Sequence, residues 1–183
     1  MTWRDVQHLC VETARIVNPD DADWEPTATG RKYSYKYGYG ALDGEKYVKA
    51  AQSWKLVKPQ AWVETDTVIH DNGVFDSKEN KYSGGKPIGN RGIESKMTIT
   101  QEMLKESNFE KLEHINVKVW IDHTKRGDVE VEVISPNGIT SVLAGRREGD
   151  SDKTGYPGWI FMSVKHWWVS LFPHRLLLTH LLV

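Results

Sequence analysis

At 183 residues the chain can form one or two small domains, each burying a modest core. Its 24 basic and 25 acidic side chains leave a formal net charge of −1, which argues against an electrostatic nucleic-acid or membrane binder. Cys10 stands alone, so neither an internal disulfide nor a cysteine metal cluster can form.

The chain opens MTWRDVQ with no apolar stretch behind it, so no signal peptide is expected. No Asn-x-Ser/Thr sequon marks a glycosylated surface. Residues 2–17 predict an amphipathic helix: Thr2 caps it, Asp5 follows three residues on, and Val6, Leu9, Cys10, Ile16 and Val17 recur at helical spacing. Asn18-Pro19 and the acidic run Asp20, Asp21, Asp23 end it in a polar loop. YSYKYGYGALD, residues 33–43, follows, where Gly38 and Gly40 point to a positive-φ turn or a close backbone approach. Asp43 then caps a second helix over 44–54, with Tyr47, Val48, Ala51 and Trp54 as its apolar stripe.

Near residue 58 the period changes from helical to alternating. Trp62 to Val68 begins extended structure, and residues 70–96, rich in Asn, Gly, Ser and charge, predict a long surface loop. Strands are predicted at 96–100, 114–122, 129–135 and 139–144, with a short helical turn between Thr100 and Asn108. Ile115, Val117, Val119 and Ile121 face one way, as do Val129, Val131 and Val133. Short strands separated by turn signals predict an antiparallel β-sandwich. Arg126-Gly127-Asp128 and Ser135-Pro136-Asn137-Gly138 are the turns between them.

Several of these stretches together resemble the kexin/furin-type proprotein convertases, a subtilisin-like serine protease family. TWRDVQHL, residues 2–9, is similar to the helix that follows the nucleophilic serine of these enzymes. YGYGALD, residues 37–43, resembles their turn into the last catalytic-domain helix. The run EHINVKVWIDHTKRGDVEVEVISPNGITSVLAGRREGD, residues 113–150, resembles the heart of a P (Homo B) domain, and PGWIFMSVKHW, residues 157–167, its next element. TWRDVQ and FMSVKHW look closest to the fungal kexin branch. The resemblance implies a mainly β fold: a jelly-roll-like P domain over 58–183, preceded by two helices, within 1–57, from the end of a subtilisin-like α/β catalytic domain.

It also implies a parent enzyme that is a calcium-dependent serine endopeptidase of the late Golgi, cleaving proproteins after paired basic residues. The family motifs D-[TS/D]-G, H-G-T and G-T-S-x-A-x-P are absent from this sequence, so no catalytic residue and no cofactor-binding residue is assigned. Alone, the chain is expected to be inactive, with the rest of the catalytic domain as its partner. A stand-alone binding module and a non-functional truncated product are the alternatives.

The resemblance implies calcium in the parent family, and which residues of this chain would hold a metal stays open. Asp20, Asp21 and Asp23 could hold a cation weakly, although a solvated helix-end loop is the simpler reading. His8, His70, His114, His123, His166, His174 and His180 show neither H-x-H nor H-x-x-x-H spacing. Arg126-Gly127-Asp128 invites an adhesion reading, and Arg146-Arg147-Glu148 looks like a dibasic processing site; a hairpin turn and a solvated turn are the simpler readings. After Trp167 the residues WVSLFPHRLLLTHLLV, 168–183, leave the family pattern. They follow neither period, are too short to span a membrane, and are expected to leave sheet edges open and the chain poorly soluble.

Overall fold

Thr2 and Asp5 start the first helix by mutual capping: each side chain accepts from the other's backbone N–H. The computed structural model describes residues 1–167, and the backbone alone of 177–182. The chain divides into two units, Met1–Ala61 and Trp62–Val183.

In the first unit, α1 (Trp3–Thr13) stops four residues short of the sequence-based expectation. The Thr13 hydroxyl donates back to the Leu9 carbonyl at 2.7 Å, and Ala14 turns extended. Arg15 then exchanges two backbone bonds of 2.9 Å with Ala41, so the groups that would have extended the helix are satisfied elsewhere. Gly40 permits this approach. A Cβ there would stand 2.3 Å from the Arg15 carbonyl oxygen, and its φ is +124°. β1 (Glu25–Pro26) and β2 (Lys32–Tyr33) form a short ribbon. α2 (Gly44–Gln52) begins where Asp43 accepts from the Lys46 N–H at 3.0 Å. Its apolar stripe is only partly covered: Tyr47, Ala51 and Trp54 are half-buried, no residue of α2 is buried, and Val48 is 58% exposed.

The second unit is an antiparallel sandwich. β6 (Ile115–Ile121) pairs with β9 (Tyr156–Ser163), and β5 (Ile93–Lys96), β7 (Glu130–Ile134), β8 (Thr140–Ala144) and β10 (Leu177–Leu182) make a sheet in the order β5-β10-β7-β8. The inward residues of β6 meet Val129, Val131, Val133, Ala144 and Tyr156 in one core, as the alternating pattern predicts. α3 (Gln101–Glu106), capped by Thr100, adds Leu104 to it. Two details differ from the sequence-based expectation. The 70–96 segment holds a hairpin, β3 (Val74–Asp76) with β4 (Lys81–Ser83), turned by Asn80 at positive φ. The strand expected at 96–100 lies earlier, where Ile93 and Ser95 are the buried alternation.

The end of the chain corrects a further expectation. Residues 177–182 do not leave the sheet open; they lie between β5 and β7, paired antiparallel with both. Backbone pairing requires only a stretch free of proline and turn residues, and LLTHLL meets that condition although it departs from the family pattern. A chain ending at residue 176 is therefore expected to lose amide-exchange protection along β5 and β7 while β6 and β9 keep theirs. Hydrogen exchange with mass spectrometry measures this directly.

Candidate functional site

Asp5 organises the first unit. It is fully buried, and besides the Thr2 N–H and hydroxyl its carboxylate accepts the Trp54 indole N–H at 3.0 Å and the Val57 N–H at 2.8 Å. The backbone N–H groups of Thr2 and then Val57 hold its pKa well below the usual carboxylate range. One side chain thus ties the start of α1 to the segment beyond α2.

The acidic run is also internally bonded. Asp21 takes two bonds of 2.9 Å from the Lys36 ammonium, with the Asp23 N–H and the Tyr37 hydroxyl adding to them. Asp23 accepts from the Ser34 hydroxyl and the Lys36 N–H. Both carboxyl groups are lowered, Asp21 chiefly by Lys36 and Asp23 chiefly by Ser34. Trp24 stacks on Tyr37 at 5.7 Å and donates to the Val17 and Asn18 carbonyls. The arrangement is a folded corner whose acceptors are engaged by protein donors. Among the described residues no group of three or more His, Cys, Asp or Glu is placed to hold a metal ion.

The described histidines are dispersed. His8 lies 6.4 Å from Trp54, and His114 packs edge-on to Trp167. His123 is hydrogen-bonded to Lys125 through Nδ1. His166 is buried with neither ring nitrogen hydrogen-bonded, and desolvation, then Lys165, pushes its pKa down to about 4. His70 is 2.8 Å from the Ser95 hydroxyl. Ser95 is buried and lies within β5, so this pair lacks the open nucleophile that acyl transfer needs. His174 lies outside the described residues, and of His180 only the backbone in β10 is described.

The densest polar cluster lies in the second unit, around the sequence Arg126-Gly127-Asp128, which forms a 3-10 turn. Arg126 grips Asp150 with two bonds, Nε at 2.8 Å and Nη2 at 2.9 Å, and its guanidinium sits 4.8 Å over the Trp159 ring. Arg147 donates to the same Asp150 carboxylate at 3.1 Å, to the Tyr156 hydroxyl at 2.7 Å and to the Gly145 carbonyl. Arg126, then Arg147, holds the Asp150 pKa down to about 2. The backbones interlock as well. Gly127 N–H donates to Asp150, Arg147 N–H to Gly127 and Arg126 N–H to Asp152. A Cβ on Gly127 would lie 2.0 Å from the Arg147 oxygen, so only glycine fits.

Arg126-Gly127-Asp128 is thus built into the fold, with the Arg126 side chain only 18% exposed, and does not present an adhesion loop. Arg146-Arg147-Glu148 is its partner rather than a free solvated turn. Sequence reading singles out both stretches but not Asp150, which joins them; Glu148, Asp150 and Asp152 alternate at the end of the second loop, and spacing alone does not pick out the middle one.

Two outcomes follow from this cluster. Gly127→Ala is expected to destabilise the second unit by about 3 kcal/mol through overpacking, whereas Asp128→Ala loses one exposed ion pair, worth under about 0.5 kcal/mol; urea unfolding compares the two. Because the folded pKa of Asp150 is depressed, its stabilisation is full above the unfolded value of about 3.8 and is lost as pH falls towards 2. Asp150→Asn should remove that part of the acid sensitivity of the melting temperature between pH 4 and 2.

Residues 112–171 match the family model of the proprotein convertase P-domain, running past the expected departure at residue 168. Kexin of Candida albicans is 42% identical over 167 residues, covering 91% of this chain and 18% of its own length. The dibasic-processing endoprotease of Schizosaccharomyces pombe is 36% identical, covering 91% of this chain and 23% of its own. Furin of Bos taurus is 33% identical, with 91% and 19% covered. The chain therefore spans about a fifth of the length of these relatives. In fold, a serine protease of Aeromonas sobria superposes with a TM-score of 0.68 at 19% identity, covering 99% of this chain and 33% of that one. Over nine tenths of its length the chain thus corresponds to one segment of the kexin/furin-type proprotein convertases, and residues 112–171 carry their P-domain.

Proposed function

We propose that this chain is part of a longer serine endopeptidase that processes proproteins after paired basic residues, in which it supplies the P domain and closing helices of the catalytic domain rather than the reacting groups. The observation that carries this reading is the uncovered apolar surface of the first unit. Trp3, Leu42, Val48 and Leu56 are each more than half exposed, beside a fully buried and saturated Asp5. Exposed side chains of that size and number have the composition of a core cut open, and their partner is the rest of the catalytic domain. The absence of the Asp, His and Ser motifs of the family agrees with it.

Calcium, which the resemblance implies, finds no fitting donor set among the described residues, since Asp21 and Asp23 are engaged by Lys36 and Ser34. Its place is assigned to the parent enzyme's other residues, and no step is derived through it. The same proposal puts the parent in the late Golgi, and the resemblance to the kexin branch is its support. Among the described residues no helix is long and apolar enough to cross a membrane.

The purified chain, assayed against a fluorogenic Lys-Arg peptide, is expected to give no turnover. Hydrolysis that a serine-protease inhibitor abolishes would refute the supporting role.

A further inference from the structure

Three adjacent basic pairs occur in the sequence: Arg31-Lys32, Lys125-Arg126 and Arg146-Arg147. The last two both end in arginine, and the structure brings those two arginines onto one carboxylate, Asp150. A protease reads its substrate as an extended strand, with backbone groups free to pair and the side chain before the cut inserted in a pocket. Neither condition holds here. Around the Arg126–Gly127 bond, Arg126 N–H donates to Asp152, Gly127 N–H donates to Asp150, and the Arg126 carbonyl accepts from Val129. Next to the Arg147–Glu148 bond, Arg147 N–H donates to Gly127 and its carbonyl accepts from Asp150 N–H. Both guanidinium groups are also occupied, Arg126 by Asp150 and Trp159, Arg147 by Asp150, Tyr156 and Gly145.

We propose that Lys125-Arg126 and Arg146-Arg147 are latent processing sites for an endoprotease of dibasic specificity, masked together by the Asp150 clasp and exposed together when it opens. The reaction is amide hydrolysis. One water is consumed per bond, the Arg126–Gly127 and Arg147–Glu148 C–N bonds break, the arginines end as carboxylates, and Gly127 and Glu148 become new amino termini. Both cuts together release residues 127–147, which contain β7 and β8, half of the four-stranded sheet. Cleavage therefore removes a loosened P domain irreversibly and leaves a closed one intact. The depressed pKa of Asp150 keeps the clasp charged well into acid, so mild acidification does not open it.

The protease in the test is supplied from outside, so the result is independent of what the parent enzyme does. The 183-residue chain is incubated with the purified dibasic-processing endoprotease of Schizosaccharomyces pombe, and fragments are identified by mass. The native chain is expected to be cut at these bonds at least about 100-fold more slowly than synthetic peptides spanning 122–131 and 143–152, because the open fraction sets the rate. Asp150→Asn should accelerate both cuts about tenfold or more while leaving Arg31-Lys32 unchanged. In Asp150→Asn/Arg147→Gln, of these two cuts only the one after Arg126 should remain.

Peptides that resist the enzyme, a native chain cut as fast as they are, or a folded Asp150→Asn that stays uncut would each overturn the proposal. Should Asp150→Asn fail to fold, the wild-type rate is followed through sub-denaturing urea. A slope shallower than that of global unfolding shows local opening of the clasp and supports the proposal. An equal slope overturns it.

Discussion

Asp150 is a single carboxylate shared by two arginines, and the path of the chain between the two sheets depends on it. β6 and β9 lie in one sheet and β7 and β8 in the other, so the chain crosses between sheets after Ile121 and again after Ala144. Both crossings pass through the clasp. The first carries Arg126 and Gly127, the second Arg147 and Asp150, and each satisfies backbone groups that the other would otherwise leave unpaired. The geometry is conditional on Gly127, because the loops approach too closely for any side chain there. Charge pairing and backbone contact therefore support each other: the ion pairs hold the loops at the distance at which the amide bonds form. With the crossings fixed, Ile115 to Ile121 and Val129 to Val133 can meet only in one register across the core.

The first unit repeats the device with Asp5, a carboxylate that reaches from a helix cap to Val57, 52 residues away. There too the polar hub is complete while large apolar side chains stay exposed. A saturated buried carboxylate shows that the local fold is specified, and exposed Trp3, Val48 and Leu56 fit the larger catalytic domain proposed above. This contrast fits the alignment, in which nearly the whole chain matches a small share of each relative.

What the sequence made legible follows from the range of the forces involved. Caps at Thr2 and Asp43, the short helix between Thr100 and Asn108 and the alternation of β6 and β7 are local, and each lies where pattern reading puts it. The early end of α1 was not legible, since it turns on Arg15 meeting Ala41, 26 residues on. β10 was hidden for a related reason: backbone pairing needs no particular side-chain pattern, and LLTHLL offers no alternation by which to find it. The family motifs marked Arg126–Asp128 and Arg146–Glu148 as separate turns. Their union through Asp150 spans 24 residues, and no spacing rule connects them.

The identity of the clasp residues sets a conflict that the fold resolves by geometry. Arginine alone offers a planar fork that grips a carboxylate with two bonds while stacking on an aromatic ring, as Arg126 does with Asp150 and Trp159. Lysine at position 126 would keep the charge and lose both the fork and the stack. The crossing loops therefore favour arginine where a dibasic endoprotease would look for it, and the recognition feature is not readily mutated away without loosening the core. Masking is the remaining solution. It ties the safety of the two sites to the integrity of the sandwich, because the bonds that set strand register are the bonds that keep the arginines out of reach.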